Sequence, residues 1–95
     1  MALIFLVTFD IHDDVTRLTV DALLEHLYDD QCRIQQSVWL IKTDKDTAAV
    51  KSDIKEHIDP EEDRLFVTVI DTRAGAVNLE NAGIVWLKKN GIEVV

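Results

Sequence analysis

Residues Arg33-Ile34-Gln35-Gln36-Ser37-Val38-Trp39-Leu40-Ile41-Lys42-Thr43 decide how this chain is divided. They read as extended, yet eleven residues in one strand would reach about 36 Å, long for a strand in so small a protein. The polar Gln35-Gln36-Ser37 in mid-run predicts a break into two short strands. On the N-terminal side, Ala2–Asp10 is dense in β-branched and aromatic residues and apolar at both parities. Leu3, Phe5, Val7 and Phe9 lie on one side, Ile4 and Leu6 on the other. That pattern predicts a central strand buried on both faces. Asp13, Asp14 and Thr16 are cap candidates for a helix from about Val15 to Tyr28, with Val20, Leu23, Leu24 and Leu27 at helical spacing.

On the C-terminal side, Thr43-Asp44-Lys45-Asp46 offers a cap for a second helix. Val50, Ile54 and Ile58 recur in it every four residues until the turn at Pro60. Asp63–Asp71 is a further strand, largely apolar at both parities. The order is then β-α-β-β-α-β, the ferredoxin-like order of an α+β fold, in which the first and last strands are expected at the sheet centre. Asn78–Asn90 predicts a third helix carrying Leu79, Ala82, Trp86 and Leu87, closed by Gly91, with Ile92–Val95 as a short final strand. Two helices cover only one face of a four-stranded sheet, so something must cover the other. The third helix is one candidate. The preferred expectation is a second copy of the protein, sheet against sheet in an isologous homodimer, with the C-terminal segment a candidate to cross to the partner.

The chain has 95 residues, 47% apolar and 29% charged, which fits one domain over residues 1–95 and excludes a disordered or fibrous chain. Ala2 to Phe9, the longest apolar stretch, is too short to span a bilayer and carries no export signature, so the expected location is cytoplasmic, away from membranes. Cys32 is the single cysteine, which excludes an internal disulfide and a paired-cysteine metal site. Eighteen acids against ten Lys and Arg give a formal charge of −8. That charge argues against a binder that works by neutralising many phosphates. The excess is local. Asp10–Asp30 holds seven acids and one base, and Asp44–Asp63 eight acids and three bases, while Gln31–Thr43 and Arg64–Val95 are slightly basic. A nucleic acid is therefore expected to avoid the helical layer and approach along strand ends near Arg17, Arg33, Arg64 or Arg73.

Most chemistry lies in Phe9-Asp10-Ile11-His12-Asp13-Asp14-Val15-Thr16-Arg17, which puts a carboxylate at the end of a central strand with more acids and an arginine behind it. Such a carboxylate can hold Mg²⁺ with water or phosphate completing the octahedron. The same spacing also fits a plain helix start, with Asp13 or Asp14 as the cap, Asp10 accepting a backbone N–H and Arg17 paired with an acid of its own helix. His12 is either a general acid or base or a solvent-facing loop residue. His26 and His57 read as surface residues, and Trp39 and Trp86 as core or dimer-interface anchors.

Three strings carry a resemblance: Phe9-Asp-Ile-His-Asp-Asp-x-x-Arg17, Arg33-Ile-Gln-Gln-Ser-Val-Trp39, and Ile58-Asp-Pro-Glu-Glu-Asp63 before a strand. Over about residues 2–71 they resemble the CRISPR-associated Cas2 family, and the later segments resemble its stand-alone, SinR-like branch. The resemblance implies a ferredoxin-like homodimer in which Asp10 meets its mate across the two-fold axis and holds a divalent metal, Mg²⁺ or Mn²⁺. It implies a metal-dependent endonuclease, a hydrolase of RNA or DNA linked to antiviral defence, with Asp10 catalytic. Asp13 and Asp14 would be auxiliary carboxylates, and Arg17, Arg33 and Ser37 nucleic-acid contacts. Some members serve as structural dimers, so a non-catalytic dimer binding nucleic acid or protein is the alternative, as is a toxin-like endoribonuclease resembling virulence-associated protein D. Thr16 stands where the family has the first of two arginines, and the chain after Asp71 follows the stand-alone pattern. Both departures speak against docking to the CRISPR integrase.

Overall fold

The structure, a computed structural model, describes residues 1–71 and 73–95. Strand β1 (Leu3–Asp10) is followed by α1 (Asp14–Leu27), β2 (Asp30–Gln35), β3 (Val38–Thr43), α2 (Thr47–Lys55) and β4 (Arg64–Ile70). A two-residue β5 (Arg73–Ala74), α3 (Asn81–Lys89) and a two-residue β6 (Glu93–Val94) complete the described chain. The long extended run breaks where expected, and Ser37 turns the corner with φ 65°. The first half of that hairpin reaches further back than Arg33, since β2 starts at Asp30.

The four long strands form an antiparallel sheet in the order β2-β3-β1-β4. This is the ferredoxin-like α+β architecture, with one correction: the centre is held by β1 and β3, and β4 is an edge strand. Two apolar parities in β4 therefore do not report a central position. Its Leu65 and Val67 pack on the core under the helices, whereas Phe66 on the opposite face is 60% exposed.

Side chains of β1 sort by parity as the pleat requires. Phe5, Val7 and Phe9 join Trp39 and Ile41 of β3 beneath Val20 and Leu24 of α1 and Val50 and Ile54 of α2. Leu27, counted with the apolar stripe, is 42% exposed, because Tyr28 at the helix end takes the core position instead. The Tyr28 hydroxyl donates to Asp53 at 2.8 Å, tying α1 to α2, and burial followed by that carboxylate raises its pKa. Helix α2 is shorter than its apolar spacing predicts. It ends at Lys55, the chain tightening through His57 N–H to the Ile54 carbonyl at 2.9 Å, and Ile58 reaches the core from the following turn.

Part of the other face is covered within the chain. Trp86 and Leu87 of α3, with Ile92, bury Ile4 and Leu40, and Gly91 closes the helix at φ 84°. Helix α3 approaches closely because Gly83 faces Ile34, where an added Cβ would come within 3.1 Å. Parallel pairing of β5 with β6 anchors the segment, so its role as cover requires no crossing to a partner. No described helix is long and apolar enough to cross a membrane.

Candidate functional site

Asp10 ends β1 and is exposed. Its place is fixed from both sides: Phe9 N–H donates to the Ser37 carbonyl at 3.1 Å, and Asp10 stands opposite Arg64 in the β1–β4 register. The next like-parity pair along the ladder is Thr8 opposite Phe66. All four side chains therefore project from one face of the sheet, the one turned away from α1 and α2. They line an open hollow of about 300 Å³ together with Phe9 and Leu65. None of the ion pairs among the described residues includes Asp10.

The acids behind Asp10 are committed to structure. Asp13 caps α1, accepting from the Thr16 hydroxyl at 2.7 Å and the Thr16 N–H at 2.9 Å, and these bonds, the hydroxyl's first, lower its pKa. Asp14 pairs with Arg17 one turn on, at 3.4 Å. Both follow the plain helix-start reading of the sequence.

Arg33 does not reach this hollow. It lies opposite Trp39, on the helical face, and its guanidinium stands 3.9 Å from Asp21, which also accepts from the Trp39 indole N–H at 2.9 Å. Of the expected nucleic-acid contacts, Arg33 sits across the sheet from Asp10. Ser37 lies beside it through its backbone carbonyl, and Arg17 is half-buried against its own helix.

One partner escaped the sequence reading. Asp63, the last residue of the turn before β4, has a side chain only 2% exposed and accepts from three groups. These are the His12 ring at 2.9 Å, the His12 N–H at 3.3 Å and the Asp59 N–H at 2.9 Å. It thus joins the loop after Asp10 to the turn before Arg64. The only sequence signal was the polar Asp59–Asp63 turn, which did not say what it would bind. The Asp63 carboxylate, helped by Glu62 and Asp13, raises the His12 pKa, while the Asp59 N–H and then His12 lower that of Asp63.

A raised histidine pKa contributes stability that is complete below the unfolded value of about 6.5 and fades as pH climbs through the folded one. The lowered Asp63 contributes above its unfolded value and loses that contribution in acid. The clamp is therefore strongest between the two titrations. The melting temperature of the wild type is expected to drop more than that of His12→Gln between weakly acidic and alkaline solution. Parallel melting curves for the two proteins across that range would refute the clamp.

Asp10 supplies one hard oxygen donor per chain, and among the described residues no three His, Cys, Asp or Glu side chains gather as a metal site. That donor set fits Mg²⁺ or Mn²⁺, which bind through one or two carboxylates and keep water or phosphate as the remaining ligands. It does not fit a closed protein cage of the structural zinc kind.

Comparison with curated proteins returns no match. Among solved structures, a hypothetical protein from Thermus thermophilus superposes with a TM-score of 0.71 at 21% identity, over 84% of this chain and 100% of that one. At that identity the likeness is one of fold. The family model described as CRISPR associated protein Cas2 matches residues 1–75, from β1 through β5, and leaves α3 and β6 outside the match. With its sheet order, its strand-end aspartate and that match over most of its length, the chain belongs to the CRISPR-associated Cas2 family.

Proposed function

We propose that this chain is a divalent-metal-dependent endonuclease acting as a homodimer, with Asp10 of each copy at a shared metal position. The carrying observation is Asp10 itself: a strand-end carboxylate, exposed, in none of the described ion pairs, and held on one side by the β1–β4 ladder and on the other by the bond of its neighbour Phe9 to Ser37. One chain offers a single carboxylate. A two-fold mate would supply the second, and a cation between the two would offset their mutual repulsion.

Bound there, the cation would supply charge neutralisation at the scissile phosphate and a more acidic water. The chain's own residues do the rest. Asp10 holds the position, and Arg64 opposite it offers a guanidinium to a phosphate oxygen. Asp13, tied up as the cap, keeps the loop's shape, and Asp14 tethers Arg17. Arg17 would contact phosphate only by leaving Asp14, and Ser37 contributes through the backbone bond that seats Phe9.

The test is a cleavage panel of single-stranded and duplex RNA and DNA with Mg²⁺, Mn²⁺ or chelator, run on the wild type and Asp10→Ala side by side. Cleavage that needs the cation and Asp10 supports the proposal. Cleavage that survives the substitution refutes it. A non-catalytic nucleic-acid-binding dimer is the second reading, favoured by the commitment of Asp13 to the α1 cap and of Asp14 to Arg17, which leaves neither carboxylate to assist Asp10. It predicts no cleavage under any condition, with a salt-sensitive band shift.

A further inference from the structure

Helix α1 carries more apolar residues than its seat on the sheet uses. Val20 and Leu24 satisfy the core, with Tyr28 just past the helix end. On the outer side Val15 is 73% exposed and Leu18 58%, and Ala22 is exposed with them. The three stand at i, i+3 and i+7, so they form one continuous ridge along the helix. Helix α2, packed on the same core, exposes no apolar residue larger than alanine. The ridge is therefore particular to α1.

The charges around the ridge are of one sign. Asp10–Asp30 holds seven acids against one base. That base, Arg17, is paired with Asp14, whereas the exposed Glu25 takes part in none of the described ion pairs. Asp14 lies four residues before Leu18 and Glu25 three after Ala22, so a carboxylate stands beside each end of the ridge.

We propose that this outer face of α1 docks a basic amphipathic helix of another protein, whose apolar stripe seats on Val15, Leu18 and Ala22 while its cations meet Glu25 and the acids around it. An apolar centre inside a charged rim is the layout of a protein interface. A helix suits the ridge, because helices pack ridges into grooves and the small Ala22 lets a partner come near the backbone. The acids set the other occupants aside. A nucleic acid or an anionic membrane surface is repelled. A second α1 in a two-fold contact would set like charges against each other. The proposed homodimer meets through the opposite face of the sheet, so each copy keeps this surface open. Docking here holds whether or not the protein cuts nucleic acid.

The probe is a labelled synthetic peptide longer than about 15 residues, enough to hold a helix, with leucines at one helical stripe and lysines beside them. One control keeps the composition and scatters the leucines. The other keeps the stripe and replaces lysine by glutamate. Fluorescence anisotropy is recorded with wild type, Val15→Gln, Leu18→Gln and Glu25→Lys, alongside melting curves and sedimentation of each protein. Glutamine is a good helix former, so the first two variants remove apolar surface and leave α1 intact. The striped basic peptide is expected to bind wild type at least about tenfold tighter than either control. Val15→Gln and Leu18→Gln are each expected to lose roughly tenfold, the scale of one apolar side chain left in water. Glu25→Lys weakens the basic peptide and strengthens the acidic one, and all four proteins fold and sediment alike. The proposal is overturned if the striped basic peptide does not bind, if scattered leucines serve as well, or if Leu18→Gln binds like wild type. It is equally overturned if Leu18→Gln changes the sedimentation of the protein, which would make the ridge a contact between copies. Flotation of wild type but not Leu18→Gln with phosphatidylserine vesicles would also overturn it, in favour of a membrane surface.

Discussion

Asp10→Ala is expected to lower metal-dependent cleavage by more than about 100-fold while moving stability by no more than about 0.5 kcal/mol. Even partners that merely orient a metal ligand cost 10–100-fold when removed, and Asp10 is proposed as the ligand itself. The small stability effect follows from its surroundings: the carboxylate is exposed and in none of the described ion pairs, so its removal orphans nothing in the core. Steady-state cleavage and thermal melting on the same preparation check both halves. A loss of activity accompanied by a large drop in melting temperature would mean that Asp10 holds the strand end, and the catalytic assignment would fall. Asp13→Ala makes the useful contrast. It removes the cap of α1 and costs stability in the manner of a lost N-cap.

Trp86→Ala is expected to destabilise the fold by about 3–5 kcal/mol, the usual cost of emptying a large aromatic site in a core. Trp86 is 9% exposed, packs with Leu87 and Ile92 over Ile4 and Leu40, and donates its indole N–H to Asp30 at 2.8 Å. For a domain of this size that cost corresponds to a fall in melting temperature of more than about 10 °C. Trp86→Phe keeps most of the packing and loses the hydrogen bond, so its cost is expected near 1 kcal/mol. The pair of variants separates packing from polarity. If Trp86→Ala melts with the wild type, α3 does not cover the second face within its own chain, and a cover supplied by a partner copy returns to the fore.

How much could be read before folding depended on the range of the interaction. Local signals were legible. The apolar residues at both parities of Ala2–Asp10 were satisfied by two separate cores, Gln35-Gln36-Ser37 broke the extended run into a hairpin, and Asp13 proved to be the cap among three candidates. Strand order was not legible, because an edge strand whose inner face is covered by helices can be as apolar as a central one. Leu65 and Val67 satisfy the core while Phe66 does not. Partners far apart in sequence were also hidden. Nothing in Arg33 says that it will stand opposite Trp39 and near Asp21, across the sheet from Asp10. Likewise, Asp63 is one acid among many until the turn brings it to His12. The site's carboxylate was visible by motif and Arg64 as one of four candidate strand-end cations, whereas the pairing of Asp10 with Arg64 and of Thr8 with Phe66 became visible only through register.

The position of β1 between β3 and β4 has a consequence for the chain as it is made. Leu3–Asp10 is translated before either neighbour. Its last pairing partner, Ile70, is translated 60 residues after Asp10, about 3–12 s later at ~5–20 residues per second. During that interval a strand apolar on both faces has no sheet to enter, and Asp10 has no Arg64 opposite it. Until β4 is made, the nascent chain carries an apolar strand with an unpaired edge, the kind of surface that chaperones bind and that seeds aggregation. The corner that holds Asp10 and Arg64 is among the last parts of the sheet to close.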